Sequence, residues 1–163
     1  MKNLYSLPEL TEIIKEHKNQ DQKIVLANGC FDLIHIGHIR YLRASKKRGD
    51  ILVVALNSDS SVRRLKGRGR PLLNLKERVT IISSFSFVDY ITSFEELNVK
   101  KVLLSLKPDI HAKGSDYTKE TVPEKETVKG YGGDIAITGG PKIKSTSQII
   151  EEIARKIKGR TMD

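Results

Sequence analysis

Cysteine, tryptophan and long apolar stretches are what this sequence has least of. One cysteine, Cys30, stands among 163 residues, so no internal disulfide can form and no thiolate cluster can hold a metal. Tryptophan is absent and aromatics reach 6%, which leaves few platforms for stacking nucleic-acid bases. No apolar run approaches the roughly 18–20 residues that span a bilayer. The opening Met1-Lys2-Asn3-Leu4-Tyr5 lacks the apolar core of a secretory signal, so a cytoplasmic location without a membrane partner is expected. What remains, 38% hydrophobic and 30% charged, is the composition of a folded domain, and 163 residues suffice for one core.

The net charge of +9 asks for anionic partners. Basic residues are spread along the chain, with one dense patch at Arg63, Arg64, Lys66, Arg68 and Arg70. With so few aromatics beside it, the patch favours small phosphorylated substrates over nucleic acid.

Hydrophobic periodicity orders the chain. Ser6, with Glu9 three residues on and Pro8 in the first turn, predicts a helix over 7–19. Short apolar runs predict strands over 23–28, 51–56, 88–92, 109–113 and 134–138. Helical patterns fall between and after them, over 37–48, 75–83, 99–106, 123–129 and 146–157. Residues 66–74 and 114–122 read as loops, and no repeat, low-complexity segment or linker divides the chain. Continuous apolar strands alternating with amphipathic helices imply one Rossmann-like, doubly wound α/β domain, with a five-stranded parallel sheet covered on both faces. Residues 1–21 form a helical extension to a core at 22–157. In such folds ligands bind beyond the C-terminal ends of the strands.

The first strand runs into Asn28-Gly29-Cys30-Phe31-Asp32-Leu33-Ile34-His35-Ile36-Gly37-His38. Two histidines three residues apart at a helix entrance share a face. A helix N-terminus already attracts anions through its free N–H groups and dipole. Imidazoles there add donors for phosphate oxygens, and Gly29 and Gly37 let a ligand approach the backbone. A histidine pair at this spacing is often incidental; the strand before it, the helix after it and Gly29 and Asp32 beside it favour phosphoryl chemistry. A zinc site would need further ligands, and nothing places His17 or His111 nearby, so no metal site is expected. Lys66 could belong to a solvated basic loop, Ser145, Thr146 and Ser147 could simply cap a helix, and Asn57 and Asp59 could form a turn. Arg78 could pair locally or reach phosphate.

The segment GCFDLIHIGH (29–38) resembles the opening motif of the cytidylyltransferase-like nucleotidyltransferases. The likeness continues through VALNSDSSVRRLKGRGRPLLNLKERV (54–79), VDYITSFEE (88–96), KPDIHAKGSDYT (107–118) and KSTSQII (144–150), covering about residues 22–157. The paired histidines mark the superfamily. The Asn57-Ser58-Asp59, Arg64-Leu65-Lys66-Gly67, Lys113-Gly114 and Asp116-Tyr117 blocks are similar in particular to adenylyltransferases of D-glycero-β-D-manno-heptose 1-phosphate. The resemblance implies AMP transfer from ATP to that sugar phosphate by direct in-line attack, giving pyrophosphate and an ADP-heptose for lipopolysaccharide core or another surface glycan. It implies His35, His38 and Lys66 as catalytic. It implies a nucleotide site of Gly29, Cys30, Phe31, Asp32, Gly37, Lys113, Gly114, Asp116, Ser145, Thr146 and Ser147. It implies Asn57, Asp59, Lys66 and Arg78 at the sugar phosphate, Mg²⁺ travelling with ATP and pyrophosphate rather than on a protein cluster, and a homodimer.

Two departures stand out. Relatives carry an arginine shortly before the last Ser-Thr-Ser; here Lys142 or Lys144 would have to substitute. The sugar-kinase half of bifunctional relatives is absent from this sequence, so a separate kinase would supply the substrate. The competing readings are a cytidylyltransferase for glycerol 3-phosphate or another small alcohol phosphate, an adenylyltransferase of an FMN-type coenzyme precursor, a catalytically silent nucleotide binder, and a nucleic-acid-binding module using residues 63–70.

Overall fold

The computed structural model describes residues 4–141 and 146–160. Ser6 starts α1 (Leu7–Asn19) with the expected capping box: its hydroxyl takes the Glu9 N–H and the Glu9 carboxylate takes its own. Then follow β1 (Ile24–Gly29), α2 (Ile36–Lys46), β2 (Ile51–Asn57), α3 (Asp59–Lys66), α4 (Leu75–Ser83), β3 (Tyr90–Phe94), α5 (Lys100–Leu106), β4 (Ile110–Gly114), α6 (Lys125–Gly130), β5 (Asp134–Thr138) and α7 (Thr146–Arg160).

The five strands form one parallel sheet in the order β3-β2-β1-β4-β5. β1 is central, pairing Val25 with Leu52 on one side and Ile110 on the other. The chain winds outward through β2 and β3, returns beside β1 as β4, and winds outward again. The switch point therefore lies between β1 and β4, where a crevice opens at the strand ends.

Alternation along the strands builds two cores. Ile24, Leu26, Ile51 and Val53 face α1, α5 and α6, meeting Leu10, Ile14, Val102, Leu103 and Val128. Val25, Ala27, Leu52 and Val54 face α2 and α4, meeting Tyr41, Leu42, Val79 and Ile82. The N-terminal extension is thus part of the first core, and Tyr5 N–H bonds Ile91 O at 2.9 Å along the edge of β3.

Carboxylates close the N-terminal edge of the sheet. Asp109 accepts the Ile24 N–H at 2.7 Å, Asp50 the Lys23 N–H at 2.8 Å, and Asp89 the Leu52 N–H at 2.7 Å. Each satisfies a backbone donor where a strand begins. The cleft forms at the opposite edge.

The structure differs from the sequence expectation at α3 and β3, and the ends of α2, α6 and α7 shift by two or three residues. Residues 59–66 form a helix rather than a turn and loop, capped by Ser58, whose hydroxyl takes the Ser61 N–H at 3.2 Å. The third strand begins two residues late, because Asp89 turns its carboxylate to Leu52 and Lys46 instead of entering the ladder.

Candidate active site

A cleft of about 570 Å³ lies over the C-terminal ends of the strands, at the switch point. Its floor comes from β1 and the loop after it. Its walls come from β2, α3 and the turn after β3 on one side, and from β4, β5 and the start of α7 on the other.

His35 is the N-cap of α2. Its Nδ1 accepts the Gly37 N–H at 3.1 Å, so the ring proton sits on Nε2. His38 stands one turn on, its ring 3.9 Å from that of His35, centre to centre, and edge-on to Phe31 at 5.2 Å. Burial pushes His38 down to about 4, with the neighbouring His35 adding to the effect. Burial also lowers His35. Both imidazoles are therefore neutral at pH 7 in the free protein, each with one N–H to offer. His38 Nδ1 is buried with no hydrogen-bond partner among the described residues. No acid occupies the first turn of α2 or α7, so both helix N-termini keep their attraction for anions.

Phe31 explains the glycine before it. A side chain at Gly29 would meet the Phe31 ring at 3.1 Å. Phe31 has φ of 47°, a left-handed turn that folds its ring under His38 and beside Tyr41. Gly29 thus makes room for an aromatic floor. Cys30 lines that floor, 3.8 Å from Asn57 Oδ1. Burial pushes its thiol up, against the pull of Lys66, Arg78 and Arg70, so it is no thiolate nucleophile at neutral pH.

At the β4 end Lys113 is buried. Its ammonium donates to Asn28 Oδ1 at 3.2 Å, pairs with Glu124 at 3.3 Å and lies 5.1 Å from the Tyr117 ring centre. Desolvation lowers Lys113 and Glu124 counteracts it. His111, pushed by burial to about 3, shares the same Asn28 oxygen at 3.1 Å. That oxygen receives both, which turns the Asn28 amide nitrogen away from them. Thr146 Oγ1 donates to Leu33 O at 3.1 Å, fastening the start of α7 to the histidine loop.

The cleft therefore gathers Gly29, Cys30, Phe31, Asp32, His35, Gly37 and His38 from the first motif. Asn57 and Lys66 join from one side, and Lys113, Gly114, Asp116, Thr146 and Ser147 from the other. Ser145 lies outside the described residues, as do Lys142 and Lys144. Two expected sugar-phosphate residues do not reach the cleft. Arg78 is fully buried and donates to Cys30 O at 2.6 Å, Asn57 O at 2.8 Å and Leu73 O at 3.1 Å. Its remaining arm meets Asp59 Oδ1 at 2.7 Å. Both are struts beneath the site. Asn57 is mostly turned inward, its amide donating to Ser61 Oγ at 3.0 Å.

Several wall residues were not singled out in the sequence: Asn28, Tyr41, Phe94, Asn98 and Glu124. Asn28 could have been found, since it ends the strand that carries the motif. Glu124 could not, because no pattern ties it to Lys113. Among the described residues no three His, Cys, Asp or Glu side chains gather as metal ligands, and no helix is long and apolar enough to cross a membrane.

A model of the cytidylyltransferase-like family matches residues 26–155, and the chain belongs to that family. The bifunctional protein HldE of Geobacter metallireducens is 44% identical over 150 residues, 92% of this chain and 31% of that one. HldE of Pseudomonas paraeruginosa is 37% identical over 155 residues, 95% of this chain and 33% of that one. The chain thus spans about a third of the length of these curated relatives. A lipopolysaccharide core biosynthesis protein from Thermoplasma volcanium is 34% identical with a TM-score of 0.60, covering 71% of this chain and 93% of that one. Pantoate-beta-alanine ligase from Francisella tularensis, at 16% identity and a TM-score of 0.62 over 90% of this chain and 69% of that one, shares the fold.

Proposed function

We propose that this chain transfers AMP from ATP to D-glycero-β-D-manno-heptose 1-phosphate, releasing pyrophosphate. The observation that carries the reading is the His35–His38 pair on the N-terminus of α2, in a cleft that Lys66 enters from α3. The family membership and the HldE likeness across 92% of the chain support it.

An acceptor phosphate oxygen attacks the α-phosphorus. The new P–O bond forms as the bridging bond to the β-phosphate breaks, and the electron pair leaves with pyrophosphate. The attacking phosphate is already an anion, so no general base is required, and the protonated, half-buried Cys30 gives no covalent route. His35 donates through Nε2–H, and His38 through whichever nitrogen carries its proton, to oxygens that gain charge during transfer. The N–H groups at the start of α2 add to them. Lys66 bridges acceptor and α-phosphate as a mobile point charge. Among the described residues no three possible metal ligands gather in the cleft, and Asp32 on its floor is fully engaged by protein donors. A Mg²⁺ accompanying ATP would be held by the triphosphate and water, and would offset the charge that builds on the leaving pyrophosphate. The protein is further read as a cytoplasmic homodimer, with the exposed Ile153 and Ile157 of α7 as apolar surface; sedimentation equilibrium tests the dimer.

Pyrophosphate release measured with heptose 1-phosphate and either ATP or CTP decides the reading. Release that requires the sugar phosphate and prefers ATP is the expected result, with His35→Ala and His38→Ala folded and slower by roughly 10²–10³. Release with CTP alone moves the assignment to a cytidylyltransferase, and none with either nucleotide overturns it.

A further inference from the structure

Asp32 and Arg70 form a unit that nucleotide chemistry alone does not explain. Asp32 is 2% exposed, and both its oxygens are used. Oδ1 accepts the N–H of Leu72 at 2.7 Å and of Leu73 at 3.0 Å. Oδ2 accepts Arg70 Nε at 2.5 Å. One carboxylate in the histidine loop thus pins the segment that follows Lys66 and fixes the direction of a guanidinium within it.

Arg70 lines the cleft with its side chain only 15% exposed. The bond to Asp32 is its one hydrogen bond among the described residues. Its two Nη groups keep four N–H donors, which open onto the cleft and are free to take an anion in place of water. Lys66 and Arg70 both line the cleft whose floor carries Cys30. Asp32 offsets one of the two charges. The remaining charge and the free fork match a phosphate monoester, which accepts parallel N–H bonds from arginine.

We infer that Arg70 binds the phosphate of the acceptor, and that Asp32 is the positioning residue that aims it. The inference rests on the nucleotidyl-transfer reading in that it gives the monoester a role as acceptor. It assigns Asp32 to the acceptor side, through Arg70, and not to the nucleotide.

The test compares Arg70→Ala, Arg70→Lys and Asp32→Asn, with Arg68→Ala as the control because Arg68 is exposed and does not line the cleft. In Asp32→Asn the amide oxygen can still hold Leu72 and Leu73, while its NH2 faces the Arg70 Nε–H and repels it. The KM for heptose 1-phosphate is expected to rise about 10–100-fold in Arg70→Ala and about 10-fold in Asp32→Asn. Arg70→Lys recovers part of the loss. The KM for ATP stays within about threefold throughout, as do both values in Arg68→Ala. A general loss of structure would raise both KM values and lower kcat together. An ATP KM that rises as much as the acceptor KM, or an acceptor KM that Arg70→Ala leaves alone, overturns the inference. Should Asp32→Asn fail to fold, the more exposed Arg70 variants carry the result. Titration calorimetry separates this from the activity itself. If the wild type turns over nothing yet binds heptose 1-phosphate, glycerol 3-phosphate or inorganic phosphate, and Arg70→Ala does not, the transfer reading fails and the anion site stands. Equal binding, or none by either protein, removes the site.

Discussion

His38 shows what a buried imidazole costs and what it makes possible. Held at about 4 by burial, it is neutral over the whole physiological range, whereas in an unfolded chain it takes a proton near 6.5. The folded pKa is depressed, and the protonated form is the charged one. The unfolded chain therefore binds the extra proton as pH falls, and stability declines between about 6.5 and 4. His38 alone contributes a loss on the order of 3 kcal/mol across that window. His111, at about 3, adds to it in the same direction. Urea midpoints measured at pH 7.5, 5.5 and 4.5 are expected to fall steadily. His38→Gln should flatten part of the slope, and an unchanged slope would place His38 in a wetter setting than the one described. At working pH the same neutrality leaves each histidine a single, directed donor. Oriented dipoles of that kind need little rearrangement when negative charge moves along a phosphate.

At the scale of elements, Arg78 joins pieces that are distant in sequence. From α4 it reaches the loop after β1, the end of β2, the residue before α4's cap, and the first turn of α3. Its replacement by Met leaves the carbonyls of Cys30, Asn57 and Leu73 short of a donor, that of Asn57 in a buried setting. A loss of roughly 3–5 kcal/mol is expected, read by chemical denaturation, with activity falling before the fold is lost. Such a role is invisible in sequence, because an arginine ahead of a hydrophobic helix face looks like any surface cation. The histidine loop, the parallel sheet and most helix ends were legible, since apolar runs, Ser6, Glu9 and Gly29 act through local rules. α3 was not. Only Val62 and Leu65 are apolar in Asp59-Ser60-Ser61-Val62-Arg63-Arg64-Leu65-Lys66, and Ser61 is buried through its hydroxyl, which donates to Glu96 O at 2.8 Å and accepts from Asn57. A helix whose inner face is partly polar has no hydrophobic period to read. The bonds of Asp32 were hidden for a similar reason: its partners lie some forty residues on and no short-range pattern announces them.

Across the whole molecule, the cations that line the cleft stand at one edge of the sheet, opposite the carboxylates that cap the strand starts. Asp50, Asp89 and Asp109 hold the N-terminal edge of the sheet, while Lys66, Arg70 and Lys113 stand at the C-terminal edge. Two helix N-termini free of acids open on that same edge. With a net charge of +9 on 163 residues, the cleft draws in polyanions before any contact is made. The association rate of a fluorescent ATP analogue, followed by stopped flow, is expected to fall roughly 3–10-fold between 20 and 200 mM salt, with a smaller change in dissociation. Equal rates at both salt concentrations would leave only short-range contacts to account for capture.

The order β3-β2-β1-β4-β5 has a genetic consequence. One end of the cleft is written in the first hundred residues, through Asn57, Lys66, Arg70 and Phe94. The other end is written after residue 110, through Lys113, Glu124, Thr138 and Thr146. A single recombination event within the stretch that encodes α5 would exchange one end for that of a relative and keep the histidine loop with the other. Descendants of such a fold could change one partner of the reaction at a time.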